Sequence, residues 1–436
     1  MQFVAAGALA AILYRVKARK HITMADAPDA KRRKIDGGDS AAAPAAPADD
    51  GRGALLLRAG EAWWTGPDGA ALLDNATVVG EEHFASDGGG GAAGRVIGTH
   101  NGKFHCDEVL ACSMLLLLPE FRGCTIVRTR DGDALKQCHI VVDVGGEYDD
   151  AARRFDHHQP SFTGTMEALN RRIKLSSAGL VYKHYGRALV AHVARAAFGA
   201  ELAADDLETV YKKLYAGFVE HVDAIDNGVD IQRSGSPRYK VTSDLSSRVD
   251  RLNPHWNEPA PAGGRAGKHA REHARFRRAL RVAAEELLGH LQRWVLSWLP
   301  ARVRVARAVS AAVERGEPAL PGAAANKGEV LVLEEFCPWR GHLGDLEEER
   351  GLGPVAKYCV FADSRGTSWR VQAVSERPGS FETRKGLPKA WRGLRDAELD
   401  AAAGVDGCVF VHASGFIGGN KTREGAIAMA AKALAM

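Results

Sequence analysis

The chain has 436 residues, 45% of them hydrophobic and 26% charged, which is room for two globular domains and some unfolded sequence. A formal charge of only +4 excludes a bulk attraction to nucleic acid, so any contact with RNA or DNA has to come from a local basic groove. Seven scattered cysteines without a CxxC pair argue for reduced thiols inside a cell rather than a disulfide framework, and no apolar run reaches the roughly 18–20 residues of a membrane span.

Residues 1–24 are apolar and then basic at Arg15, Lys17, Arg19 and Lys20, with no acid, which is the pattern of a mitochondrial presequence. Lys31-Arg32-Arg33-Lys34 is a basic cluster of nuclear-localisation type. Met24 lies between the two, so a start there drops the first signal and keeps the second. The expected compartments are the mitochondrial matrix and the nucleus or nucleolus, with the cytoplasm as a third. Residues 37–53 have the Ala/Pro/Gly/Asp composition of a linker. Residues 54–90, with Trp63-Trp64 and GGGG at 88–91, read as a small hairpin or an insertion, and suggest no function.

From residue 95 the pattern changes. Arg95–Thr99 is a short β-prone run that ends at His100, and Gly102 permits a turn that brings His105 and Asp107 beside it. A helix is expected from Asp107 to Pro119, with the Asp107 carboxylate near the amide end of its dipole, which favours the ionised form a metal needs. Thr125–Arg130 and Ile140–Val142 are further β-runs, and Asp143 follows the second directly. Arg153–Phe155 then delivers Asp156-His157-His158. Imidazole nitrogen mixed with carboxylate oxygen, placed just past the ends of strands, suits divalent ions such as Mn²⁺. Two ions about 4 Å apart can clamp the attacking and leaving oxygens of a phosphoryl group. Asp143 is the candidate bridge between them. One of His157 and His158 can bind metal while the other meets phosphate, and Asp156 can hold an imidazole N–H as outer support.

Ser176-Ser177 is expected to cap a helix over Ala178–Tyr185. A longer helix, about 205–225, ends in VDAIDNG; Asp223 and Asp226 share one face of its end, and Asp223 is favoured over Asp226 for the second ion's shell. Residues 268–298 are an amphipathic helix with a basic run, Arg271 to Arg281, stopped by Pro300. Strands are expected at Glu329–Leu333, Ala356–Phe361 and Trp369–Val374. The chain closes with a strand, Cys408–His412, a glycine loop through Gly418-Gly419 and a helix from Thr422. Open amides at such a helix start bind phosphate, with Lys421, Arg423 and Arg370 adding charge.

The segments THNGKFHCDE, VVDVGGEYD, FDHHQ, KLSSAG and VDAIDNG resemble the signatures of the melanocyte-proliferating-gene exonuclease family, and SSRVDRLNPHWN, WLPAR, AWRGLRD and FVHASGFIGG continue the likeness to the C-terminus. That family is similar in turn to the DHH phosphoesterases. The resemblance implies an α/β fold: a parallel-sheet DHH domain over 95–250, a linker with a long helix over 251–300 and a smaller DHHA1-like substrate domain over 301–436, after a targeting region at 1–94. It implies two Mn²⁺ ions, with Mg²⁺ as the alternative, on His100, His105, Asp107, Asp143 and His157, and phosphate contact at His158. It implies a 3′-to-5′ exonuclease on single-stranded RNA. The glycine-rich GGGH-type loop of related proteins is GGNK here, which leaves His412, Asn420 or Lys421 to take the place of the missing histidine. The rival readings are a pyrophosphatase or a phosphodiesterase of short or cyclic oligonucleotides, and an RNA-binding factor without catalysis.

Overall fold

The computed structural model describes residues 76–80, 84, 95–232, 234–235, 239–322, 326–377 and 379–436. The import and nuclear signals, the Ala/Pro linker, Trp63-Trp64 and the GGGG run lie outside these residues.

The apolar runs VIGT, TIVR and IVV are almost wholly buried, as befits interior parallel strands covered on both faces. They form β2 (Val96–Thr99), β3 (Thr125–Arg128) and β4 (Ile140–Val142), joined by β1 (Thr77–Val79), β5 (Tyr148–Asp149) and β6 (Arg154–Phe155) in a sheet ordered β1-β3-β2-β4-β6-β5. The pairs are parallel except β5 with β6. The fold is therefore α/β with a parallel-rich sheet. Most of the stretch read as a hairpin or an insertion lies outside the described residues, but its residues 76–80 hold β1: Val78 pairs beside Ile126 and is buried, so the sheet begins upstream of the boundary placed at 95.

One face of this sheet carries the main core. The helix Cys106–Leu116 is buried at every position and packs between the helices Ser177–Phe198 and Gly264–Gln292. Ser177–Phe198 runs well past the expected Tyr185, because nothing breaks it before Gly199, whose φ of 64° ends it. The helix Ala204–Leu214 continues through a π turn, Tyr215–Val219, into Glu220–Asp226. The long bridging helix likewise does not stop at Pro300: a π turn over Arg293–Trp298, which departs from the regular amide-to-carbonyl ladder, precedes it, and Pro300 follows in the first turn of Leu299–Glu314.

The second sheet has the order β10-β11-β9-β8-β7: β7 (Val330–Leu333), β8 (Tyr358–Ala362), β9 (Trp369–Ala373), β10 (Cys408–Val411) and β11 (Ile417–Asn420). Only β7 and β8 pair in parallel. Its two faces feed separate cores, one with the final helix Arg423–Ala435, the other with the helices Leu299–Glu314 and Trp339–Glu349. No helix among the described residues is long and apolar enough to cross a membrane.

Candidate metal centre

In the first sheet the chain leaves β2 toward β3 on one side, then returns across β2 to β4 on the other. The carboxyl ends of β2 and β4 thus flank a switch point, where open α/β sheets leave a crevice. His100 follows β2 and Asp143 follows β4. Asp143 has φ of +61°, a left-handed conformation that Asp tolerates better than most residues and that aims its carboxylate across the crevice rather than along the strand.

The expected side chains converge there. His100 Nε2 lies 3.3 Å from Asp143 Oδ2 and 3.0 Å from Glu108 Oε1. His157 Nε2 lies 3.3 Å from Asp143 Oδ1, 3.7 Å from Asp107 Oδ2 and 3.2 Å from Asp226 Oδ2. Each Asp143 oxygen therefore faces a different group of ligands. Three sets, His100/His105/Glu108/Asp143, Asp143/His157/His158 and Asp107/His157/Asp226, each bring one donor atom per residue within 4.8 Å of the others. His158 is exposed, and its Nδ1 is 2.7 Å from Asp156 Oδ1, while the other Asp156 oxygen accepts from the Gly146 amide at 2.6 Å. Asp156 thus orients His158 and leaves its Nε2 edge outward.

Burial raises the Asp107 pKa, and the charges of Asp143, Asp226 and Glu108 raise it further, well above the ordinary carboxylate range. The helix start beneath it favours the charged form, against that crowding, and cations bound among these carboxylates would favour it too. Burial also opposes ionisation of Asp143, but its contacts with His100 and His157 win and lower its pKa. At His100 burial works against the charged form, and the carboxylates of Asp143 and Glu108 outweigh it and push the pKa up to about 10. Asp107 Oδ1, Asp143 Oδ1 and both ring nitrogens of His157 are buried without a hydrogen-bond partner. Buried polar atoms are satisfied nine times in ten, so four orphans on ligand-type groups at one spot fit a centre built for cations.

Three expectations are corrected here. Asp223 does not reach the cluster; its fully buried carboxylate accepts from the Ser176 hydroxyl (2.7 Å) and amide (3.0 Å) and from the Tyr215 hydroxyl (2.9 Å). Asp226, the less favoured of the two, is the one beside His157. Ser176 and Ser177 do not cap their own helix with their hydroxyls; Ser177 Oγ donates instead to Asp107 Oδ2 at 2.6 Å. Gly179 belongs to the same arrangement, since a Cβ there would collide with the Asp223 carboxylate. Sequence reasoning missed Glu108, which accepts from the His105 amide at 2.9 Å and faces His100. The signal was the spacing His105–Glu108 at a helix start, the reciprocal geometry of a capping box.

The C-terminal candidates fare differently. Gly418 and Gly419 are not in an open loop but in β11, laddered to Val411 and Phe410 on one side and Val371 and Arg370 on the other. They are glycines because the neighbours fill the Cβ positions: Arg370 Nη1 would sit 2.9 Å from a Cβ at 419. Arg370 is engaged with Ser368 and Asp363, and Asn420 is buried against Asp406. His412 is exposed beside Ser414, and Lys421 is exposed just before the helix that Thr422 caps.

Residues 96–434 match the profile of the MYG1 exonucleases, described as an uncharacterised protein family (UPF0160). The chain belongs to that family. The human MYG1 exonuclease is 48% identical over 345 residues, 78% of this chain and 85% of the relative. The mouse MYG1 exonuclease is 47% identical over 344 residues, 78% of this chain and 84% of the relative. The MYG1 protein of Saccharomyces cerevisiae is 37% identical over 349 residues, 78% of this chain and 95% of the relative. The family match takes in every member of the metal cluster, from His100 to Asp226. No solved structure matches the chain.

Proposed function

We propose that the chain is a two-metal phosphoesterase of the DHH type that removes nucleotides from the 3′ end of single-stranded RNA. Its DHHA1-like second sheet domain then serves the substrate. The observation that carries this reading is Asp143, strained into position with one oxygen toward His100 and the other toward His157, as a carboxylate shared by two ions requires. His100, His105, Glu108 and Asp143 would hold one ion, and Asp107, Asp143, His157 and Asp226 the other. The nitrogen and oxygen donors suit Mn²⁺, with Mg²⁺ as the alternative. Ions bound there supply Lewis acidity: they neutralise phosphate charge and lower the pKa of a water. The chain's own contribution is orientation. Ser177 fixes Asp107, and Asp156 presents His158 to an oxygen of the phosphodiester, where an imidazolium stabilises developing charge. The exonuclease names of the mammalian relatives support a nucleic-acid substrate.

The test is purified protein with Mn²⁺ on 5′- and 3′-labelled single-stranded RNA. Early release of label from the 3′ end as mononucleotide is expected, and its loss on chelation. A wild-type chain that releases no nucleotide overturns the reading. Delivery to mitochondria and nucleus is proposed from the two N-terminal signals; reporter fusions of residues 1–50 and 24–50 should localise differently, and identical localisation refutes it.

A further inference from the structure

Large apolar side chains left in water are unevenly placed. Of the eleven exposed among the described residues, six (Ile225, Val229, Ile231, Tyr239, Val241 and Trp256) fall within 225–256, and Trp256 is 96% exposed. This segment is tied to the metal centre at both ends. Asp226 sits beside His157 at one end. At the other, Asn253 clamps the backbone of Phe104, accepting from its amide at 3.0 Å and donating to its carbonyl at 2.8 Å. Phe104 directly precedes His105. Lys103, on the same loop, pairs with Asp250 at 2.8 Å.

The turn that carries Trp256 is pinned on its far side too. Glu258 accepts from the His255 amide at 2.8 Å and from Arg275 of the bridging helix at 2.9 and 2.8 Å. Trp256 is three residues from Asn253, at most about 11 Å of chain. Through the Asn253 clamp Trp256 thus belongs to a segment anchored directly beside His105 of the metal centre. Six large apolar side chains kept in water within one segment mark a binding face, and the pinned turn presents the largest of them, Trp256, to a ligand. Arg251 and His255, neighbours of Trp256 in the chain, and Lys103, paired with Asp250 of the same segment, are exposed. A single ring raised among such groups suits a nucleotide, which offers a π-face and a phosphate together, better than it suits a protein partner, which needs about 800 Å² per side.

We propose that Trp256 is a base-stacking platform for the nucleic-acid strand entering the metal centre; the inference rests on the nuclease reading above. The test uses the full chain, with Trp256→Ala and Trp256→Phe. Binding of a labelled single-stranded RNA is read by anisotropy with Ca²⁺ in place of Mn²⁺, hydrolysis by KM and kcat, and both are repeated on an oligonucleotide made abasic at the nucleotides next to the 3′ end. Trp256→Ala is expected to raise Kd and KM about tenfold with kcat within about twofold, and Trp256→Phe to recover most of the loss, in the range for a lost base–aromatic stack. The abasic strand should bind wild type and Trp256→Ala alike. Unchanged Kd and KM in Trp256→Ala overturn the proposal and leave the nuclease reading standing. A fall in kcat with a lowered Tm overturns it in favour of a structural role. Loss of a dimer in light scattering, with RNA affinity kept, overturns it in favour of a second copy covering the ring. If wild type cleaves no RNA, the nuclease reading fails, while equal anisotropy for wild type and Trp256→Ala is what refutes the platform.

Discussion

At the ends of β2 and β4 the polar side chains outnumber their protein partners; around β9, β10 and β11 the candidates are largely spoken for. Asp107, Asp143 and His157 keep buried atoms unpaired, whereas Arg370, His412 and Asn420 each have a neighbouring side chain or carbonyl, and Gly418 and Gly419 belong to a ladder. Both regions looked alike as motifs, each a short apolar run followed by unusual residues. What separates them is satisfaction of hydrogen bonds. Leaving a buried polar atom unpaired costs about 1–3 kcal/mol, and four such atoms on ligand-type groups at one spot fit an arrangement that binds cations.

The comparison breaks first at Asp143. Asp143→Asn removes the carboxylate shared by both ligand groups and should lower Mn²⁺-dependent RNA hydrolysis by more than about 100-fold, since even outer supports of a metal site are worth about 10–100-fold. Mn²⁺ binding by calorimetry should weaken in parallel, with the fold kept by circular dichroism. Wild-type rates would remove the basis for a metal centre. Ser177→Ala comes next. It takes away the 2.6 Å bond to Asp107 without touching a ligand and should cost about 10–100-fold in metal affinity. Ser177→Thr, which keeps a hydroxyl, should recover part of it.

Within the first half the same contrast recurs between Asp223, fully partnered, and Asp226, beside His157. Asp226→Asn should weaken Mn²⁺ binding and leave unfolding unchanged; Asp223→Asn should do the reverse. Burial pushes the Asp223 pKa up from 3.8 to about 7, even against its donors Ser176 and Tyr215. The folded state therefore holds this proton more tightly than the unfolded one. The stability it contributes is complete below about pH 4 and is lost as pH rises through about 7. Urea unfolding from pH 4 to 8 should show wild type losing stability relative to Asp223→Asn, and parallel profiles would refute the assignment.

Much of this was legible in the order of residues. Parallel interior strands are short and apolar, so β2, β3 and β4 stand out, and the polar residues just beyond them mark the crevice. The choice between Asp223 and Asp226 was not legible, because both lie on one face three residues apart and the π turn at Tyr215–Val219 shifts the phase of the helix that carries them. β1 is three residues long and owes its place to β3, a partner distant in sequence. β11 was hidden because Ile-Gly-Gly-Asn has poor strand propensity; the side chains of Arg370 and Phe410 decide it by filling the space over the glycines.

That packing yields the mildest test of the contrast. A Cβ at residue 418 would lie 3.0 Å from the Phe410 carbonyl oxygen, 3.0 Å from Val411 Cγ2 and 3.1 Å from Leu387 Cδ1. Backbone on one side and two buried side chains on the others leave little room to give. Gly418→Ala should therefore destabilise by about 1–3 kcal/mol, the usual cost of an overpacked core. In a domain of this size that lowers Tm by about 2–4 °C per kcal/mol. If Gly418 serves only the ladder, kcat and KM measured well below the new Tm should stay at wild-type values. A rise in KM with Tm unchanged would mean instead that this stretch meets the substrate directly, as the GGGH-type loop of related proteins implied, and the two sheets would then be less different than their hydrogen bonds suggest.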